Sequence, residues 1–244
     1  MFHGLRACAA LFARRPQDIV RVYVSAGLRR ELAKLIEWCA KERRGFQVVA
    51  DENLERLTGS IHHEGVAILA KDIRRWNLSD LLREIEATRI GGPLLYLDGV
   101  HNPHNLGSIL RTAAHFGVAA IVGKGGDLPP LSPAAVRVAE GAADFVAVCD
   151  VADPTADLRR LKEAGYSVVV TSSHRGDSVH DVPLDRKVVV VLGSEGKGVS
   201  PQVDASADRR LRIPGTGAVE SLNVSVACGV LLGEIWRRSG PAGR

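Results

Sequence analysis

The chain has 244 residues, 45% of them hydrophobic and 25% charged, with a mean hydropathy of +0.03 and a formal net charge of +4. That is enough apolar material for one sizeable core or two unequal domains. No uninterrupted apolar run approaches the roughly 20 residues that a membrane-spanning helix requires, so no membrane association is expected.

Four dispersed cysteines (Cys8, Cys39, Cys149 and Cys228) show no paired spacing. Neither a metal site nor a disulfide framework is expected, and a reducing, cytoplasmic setting is the natural reading. The charge is unevenly placed. Residues 1–90 carry 16 Lys/Arg against 12 Asp/Glu, whereas residues 91–244 carry 16 against 16. The basic excess therefore lies in the first third, where a polyanion could be gripped.

Residues 4–14 read as a helix; the apolar stretch there has no basic segment before it, so it is not read as a signal peptide. A strand over 20–24 follows, then an amphipathic helix over 29–43 with Leu32, Leu35, Ile36 and Cys39 as its apolar stripe. A strand over 46–49, a short helix over 52–58 and a strand over 66–70 complete a small α/β unit spanning 1–72. Before its last strand stands His62-His63-Glu64-Gly65. Adjacent histidines point in different directions and cannot readily share a metal, which leaves a polar turn or a substrate-contacting loop. Residues 73–90 read as a partly helical linker through Leu78, Leu81, Leu82 and Ile85, and Gly91-Gly92-Pro93 marks the start of a second domain over 91–244.

The second domain opens with a short apolar strand over 94–97. It leads into His101-Asn102-Pro103-His104-Asn105-Leu106-Gly107-Ser108-Ile109-Leu110-Arg111. Pro103 forces the residue before it into an extended conformation and ends strand pairing, so Asn105 falls near a helix start and Arg111 nearly two turns on. Two carboxamides and an arginine around one strand-to-helix turn suit a polar, anionic ligand, because arginine offers phosphate a planar fork of donors.

Strands over 118–122, 145–148 and 166–171 alternate with helices over 133–142 and 155–164. That alternation predicts a mostly parallel sheet with ligands at the carboxyl ends of its strands. Thr171-Ser172-Ser173 lies at such an end. Residues 187–192 form a near-continuous apolar run, as in a strand buried on both faces, and lead into Gly193-Ser194-Glu195-Gly196-Lys197-Gly198. This is neither a dinucleotide fingerprint nor a P-loop. It is a flexible glycine loop holding one carboxylate, Glu195.

A last strand end at 211–213 is broken by Pro214, Gly215 and Gly217, and Glu220-Ser221-Leu222-Asn223 is read as opening a helix. Val224, Cys228, Leu231, Leu232 and Ile235 fall at helical intervals and should face a core. Ser221 and Asn223 stand where backbone N–H groups are unpaired and the helix dipole is positive.

Three blocks, Asn-Pro-His-Asn-Leu-Gly-Ser-Ile-Leu-Arg (102–111), Leu-Gly-Ser-Glu-Gly-Lys-Gly (192–198) and Ile-Pro…Glu-Ser-Leu-Asn-Val-Ser-Val-Ala (213–227), taken in order, resemble the three motifs of the SpoU/TrmH family of SPOUT-class RNA ribose 2′-O-methyltransferases. The first unit is similar to the small substrate-binding domain that precedes the catalytic domain in some members. The resemblance implies a SPOUT-type α/β domain with a C-terminal trefoil knot, which connectivity rules alone would not suggest. It also implies S-adenosylmethionine as cofactor, an RNA substrate (ribosomal rather than transfer RNA) and a homodimer formed through the methyltransferase domain.

Carried onto this chain, the resemblance places the cofactor in loops 171–173, 192–196 and 213–223. Thr171, Ser172, Leu192, Gly193, Gly196, Ile213, Pro214 and Leu222 would contact it. It gives the catalytic roles to Asn105, Arg111, Glu195, Ser221 and Asn223. Gly215 departs from the family, where a bulkier residue is common. A non-catalytic RNA-binding member of the same fold is the main alternative, and the complete polar set argues against it. A dinucleotide enzyme is disfavoured by the missing glycine fingerprint, and a small-molecule methylase by the extra basic unit.

Overall fold

The computed structural model describes residues 1–240. In chain order the first elements are β1 (Phe2–His3), α1 (Leu5–Arg14), β2 (Ile19–Ser25), α2 (Ala33–Lys41), β3 (Gly45–Val49), α3 (Asp51–Thr58) and β4 (Val66–Ala70). They form a four-stranded sheet in the order β1-β4-β2-β3, with only the β2–β3 pair parallel. Leu11, Ile19, Val22, Val24, Cys39, Leu54 and Ile68 are fully buried in this unit.

The His62-His63-Glu64-Gly65 segment proves to be a built turn. His63 is buried and its Nδ1 accepts from the Gly65 N–H at 3.0 Å. Glu64 Oε2 accepts from Leu5 N at 2.7 Å, which supplies α1 with the cap that Gly4 cannot give. His63 and Glu64 thus form a polar turn before β4.

The next elements are β5 (Arg75–Asn77), α4 (Leu78–Glu86), β6 (Leu94–Asp98), α5 (Pro103–His115), β7 (Ala120–Lys124), α6 (Pro133–Val138), β8 (Ala147–Val151) and α7 (Pro154–Glu163). Then come β9 (Ser167–Thr171), β10 (Asp177–Ser178), β11 (Val188–Gly193), α8 (Pro201–Asp204), β12 (Arg209–Arg212) and α9 (Val224–Ser239). Among the described residues the second sheet has eight strands in the order β10-β12-β9-β11-β6-β7-β8-β5, and every neighbouring pair is parallel. Parallel strands must be covered on both faces, and the run read as doubly buried, β11, is buried from Val188 to Leu192. Val189 and Val191 face a core shared with Leu94, Tyr96, Val122, Leu158, Leu161 and Val168. By the two-residue period of a strand, Val190 and Leu192 point to the opposite face.

The chain resolves into two compact units whose boundaries differ from those expected. One comprises residues 1–73 together with 131–145, and the other 74–130 together with 146–244. Residues 73–90 were expected as a linker; all but the first belong to the second unit, where they build β5, at the edge of the large sheet, and α4. The segment 131–145 belongs with the first unit. There the buried Asp144 accepts from Arg15 Nε at 2.5 Å, burial holding its carboxyl above the usual range while Arg15 pulls it down. Gly141 allows this approach with φ +87°, since a Cβ would stand 2.6 Å from Ala10 Cβ.

The helix expected to open at Glu220 begins at Val224, and residues 221–223 are not helical. Its stripe is as read: Val224, Cys228, Leu231, Leu232 and Ile235 are all buried. Burial pushes the thiols of Cys149 and Cys228 up to about 12. Among the described residues no helix is long and apolar enough to cross a membrane.

The carboxyl end of α9 is pinned by Glu234, only 8% exposed, which accepts from Arg237 Nη2 at 2.7 Å and Arg238 Nε at 2.6 Å, while Arg238 Nη2 also donates to the carbonyl of His180. The two guanidiniums hold the Glu234 carboxyl down at about 2. A carboxyl depressed in the folded state stabilises above its unfolded pKa and loses that contribution as pH falls through the folded value. Glu234→Gln should therefore flatten the fall in melting temperature between about pH 4.5 and about pH 2, as followed by circular dichroism. An unchanged acid limb would show that the cluster contributes nothing.

Candidate active site

The carboxyl ends of β12, β9, β11 and β6, adjacent in the sheet, send their loops to one side. Loops leaving the carboxyl ends of parallel strands are where α/β folds place ligands. The catalytic and cofactor residues expected from sequence lie at the last positions of these strands (Thr171, Leu192 and Gly193), on the loops that follow or on the next helices.

Two helix starts define the geometry. Asn102 caps α5 by accepting from His104 N at 2.9 Å, with Pro103 at the first helical position. Asn223 caps α9, its Oδ1 accepting from Ser225 N at 2.9 Å and Ser225 Oγ at 2.6 Å. An asparagine whose oxygen is committed to a cap must turn its NH2 the other way. Asn223 Nδ2 donates to Glu195 Oε1 at 2.7 Å and to Asn105 Oδ1 at 3.2 Å, and Asn105 Nδ2 donates to the same Glu195 oxygen at 3.0 Å. Three residues from three separate sequence blocks thus form one closed hydrogen-bonded cluster. Glu195 Oε2 has no partner among the described residues.

Glu195 is held in place by the folding of its loop. Ser194 and Gly198 exchange two backbone hydrogen bonds of 3.0 and 2.9 Å across a tight turn. Gly193 makes this possible: a Cβ there would stand 2.2 Å from the carbonyl carbon of Gly198. Downstream, Ser200 N donates to Asp98 Oδ2 at 2.6 Å, which ties the start of α8 to the end of β6.

A cleft of about 560 Å³ opens beside the cluster, with Asp98, His101, Asn102, Asn105, Glu195 and Lys197 among its lining residues. It is large enough to admit a small polar ligand. Of these, Asp98, His101 and Lys197 were not singled out from sequence. The signal available for Asn102 was its place before Pro103, the signature of a capped helix with proline at its first position.

The other expected residues fall as follows. Arg111 lies on the exposed side of α5, six positions beyond Asn105. Ser221 is exposed and makes no hydrogen bond among the described residues, so the helix start it was expected to occupy belongs to Asn223. Thr171 Oγ1 donates to Val191 O at 2.9 Å, and Ser172 Oγ accepts from His174 N and Arg175 N. Both side chains thereby shape the end of β9. Leu192 is buried, Ile213 half-buried, and Gly196, Pro214 and Leu222 exposed. Around Gly196, Gly215 and Gly217 there is open space where a side chain would stand.

An all-parallel sheet with a polar cluster and a cleft at the carboxyl ends of its central strands defines an α/β enzyme domain built on three sequence motifs. Residues 92–233 match the SpoU rRNA methylase family, and residues 2–76 match the RNA 2′-O ribose methyltransferase substrate-binding domain. The chain belongs to the SpoU methylase family.

Among its relatives is YfiF of Escherichia coli O157:H7, described as an uncharacterized tRNA/rRNA methyltransferase. It is 37% identical over 237 residues, covering 97% of this chain and 68% of that protein. The 23S rRNA (guanosine-2′-O-)-methyltransferase RlmB of Bordetella pertussis is 36% identical over 237 residues, covering 96% of each. In fold the chain is similar to an AdoMet-bound rRNA methyltransferase from Sinorhizobium meliloti, with a TM-score of 0.79 at 22% identity, over 96% of this chain and 85% of that one.

Because the loop closes directly over Gly193, Gly193→Ala should lower stability by about 1–3 kcal/mol, measured by urea denaturation. A loss below about 0.5 kcal/mol, the size of an ordinary surface substitution, would show that the loop tolerates displacement.

Proposed function

We propose that this chain transfers a methyl group from S-adenosylmethionine to a ribose 2′-hydroxyl of a structured RNA, ribosomal rather than transfer RNA. The observation that carries the reading is the closed cluster of Asn105, Glu195 and Asn223 beside the cleft. It joins one residue from each of the three motifs at the carboxyl ends of the central strands. The full-length likeness to RlmB supports both the ribose 2′-oxygen and ribosomal RNA as targets, and the AdoMet-bound relative of the same fold supports the cofactor.

The loops at the ends of β9, β11 and β12 suit S-adenosylmethionine. Glycines 196, 215 and 217 leave backbone groups open to a ligand, and Leu222 and Val219 expose 45% and 73% of their surface on the loop before α9. Such apolar surface would cover a purine, and the free backbone amides and carbonyls would read its polar edge. In this reading Leu192, Gly193, Gly196, Ile213, Pro214 and Leu222 line the cofactor, while Thr171 and Ser172 fix the loop behind it. When bound, the cofactor supplies a methyl group already activated on a sulfonium. The protein's task is then to align the hydroxyl and relieve it of its proton.

Arg111 is assigned to the RNA phosphate beside the target, since a guanidinium stays protonated and pairs with phosphate through two parallel donors. Asn105 and Glu195 hold the ribose, and Asn223 fixes the carboxylate. Ser221 would contact substrate from the loop. The first unit, residues 1–73 with 131–145, carries 13 Lys/Arg against 11 Asp/Glu; it grips RNA outside the target nucleotide, and its affinity should fall with salt. The trefoil knot, the homodimer through the methyltransferase domain and the cytoplasmic setting are part of the same proposal and rest on the family.

Methyl transfer from labelled S-adenosylmethionine to total RNA, followed by nuclease digestion, should yield a 2′-O-methyl nucleoside. Arg111→Ala should reduce transfer by about 10²-fold or more, in the range expected for removing an electrostatic contact to the reacting group, and should leave cofactor binding unchanged by calorimetry. Cofactor binding without transfer to any RNA fraction by the wild-type protein would favour a non-catalytic relative. Joint loss of transfer and cofactor binding in Arg111→Ala would contradict its assigned role.

A further inference from the structure

The reaction proposed above releases a proton, and the residues assigned so far do not account for where it goes. Arg111 cannot take it, because guanidinium is not deprotonated in proteins. Glu195 Oε1 accepts from two carboxamide donors, and its open Oε2 belongs to a carboxylate, by its reference pKa a weaker base than an imidazole. The cleft has one further group able to exchange a proton near neutral pH, the imidazole of His101.

Its ring is oriented by chemistry that permits only one reading. His101 Nδ1 lies 2.9 Å from the carbonyl oxygen of Asp127. A carbonyl can only accept, so Nδ1 must carry the hydrogen, and in the neutral ring Nε2 is left with a lone pair. The free nitrogen sits at the corner between β6 and the loop after β11. A Cβ placed on Gly99 would stand 4.0 Å from His101 Nε2 and 3.2 Å from Ser194 Cβ, the residue before Glu195. Gly99 has φ +72° and no side chain, which keeps that corner open. A histidine with one nitrogen fixed by a carbonyl and the other open as acceptor toward a cleft is the arrangement a general base requires.

We propose that His101 is the proton acceptor for the ribose hydroxyl, an assignment that rests on the methyl-transfer reading above. The 2′-oxygen forms its bond to the methyl carbon as the carbon–sulfur bond of the sulfonium breaks, and the bonding pair leaves with sulfur as a neutral thioether. The hydroxyl proton passes to His101 Nε2, and the imidazolium returns it to water in the open cleft. Charge balances, since one sulfonium is lost and one imidazolium gained. The charged groups that line the cleft together with the ring are Asp98, Glu195 and Lys197. The Asp127 carbonyl stabilises either ring state as an acceptor from Nδ1–H.

The test uses the full chain and the RNA fraction that accepts label. His101→Gln keeps a polar side chain but cannot take a proton, and should lower the single-turnover transfer rate at neutral pH by about 10²-fold or more. Its affinities for S-adenosylmethionine and for RNA should stay within threefold of wild type, and its rate should climb with pH where the wild-type rate has levelled. Imidazole added to His101→Ala should restore part of the rate. Independently of activity, nitrogen NMR of the histidine-labelled protein should show the neutral ring of His101 protonated at Nδ1.

A rate within threefold of wild type, no rescue by imidazole, or a neutral ring protonated at Nε2 would each overturn the assignment while leaving ribose methylation standing. Absence of ribose methylation by the wild-type protein would overturn the reading it rests on, and this assignment with it.

Discussion

The site depends on one commitment of one atom. Asn223 Oδ1 caps α9, accepting from both the backbone and the hydroxyl of Ser225. That fixes the amide so that its nitrogen faces Glu195 and Asn105. A helix needs its first N–H groups satisfied whatever else the protein does, and a cap of this kind contributes about 1 kcal/mol. Here the same satisfaction aims two donor hydrogens at a carboxylate and a carboxamide. The orientation is therefore a by-product of building α9, whose stripe of Val224, Cys228, Leu231, Leu232 and Ile235 is buried regardless.

The opposite side of the cluster is held by a different constraint. Glu195 stands on a loop that turns back on itself through the Ser194–Gly198 pair, close enough that only glycine fits at position 193. Asp98 then anchors the exit of that loop at Ser200. Asn105 comes in on α5, whose start is set by Asn102 and Pro103. Three local features, a cap, a glycine turn and a proline-primed helix, each justified by backbone chemistry, meet at one point. The parallel order of β9, β11 and β6 brings their carboxyl ends side by side, so the meeting point lies where this class of sheet binds ligands.

Much of this was legible in the sequence because it rests on patterns with a physical period. The apolar run over 187–192 and the helical stripe from Val224 were recognisable as buried; the run is buried from Val188 to Leu192, with Lys187 exposed at its start, and the stripe is buried throughout. What was not legible follows from partners distant in sequence. Arg75-Trp76-Asn77 has no apolar run, and it is a strand because β8 lies beside it. The strand expected over 118–122 begins at Ala120, since Val118 and Ala119 donate to the Ala113 and Pro93 carbonyls before joining the sheet. The attachment of 131–145 to the first unit depends on Asp144 meeting Arg15, a pairing no local rule announces. Ser221 and Asn223 were both read at the helix start because both residue types cap well, and the cap is Asn223. His101 escaped notice because its role comes from a carbonyl 26 residues away.

The amide of Asn223 and the carboxylate of Glu195 act as one hydrogen-bonded unit. A double-mutant cycle in thermal stability measures this coupling. Asn223→Asp preserves the cap, since aspartate caps as well as asparagine, but sets two carboxylates against each other. Glu195→Gln added to it supplies a donor and reverses the polarity of the bond. The double variant should melt above Asn223→Asp alone, with a coupling of about 0.5–3 kcal/mol. Losses that simply add would contradict it.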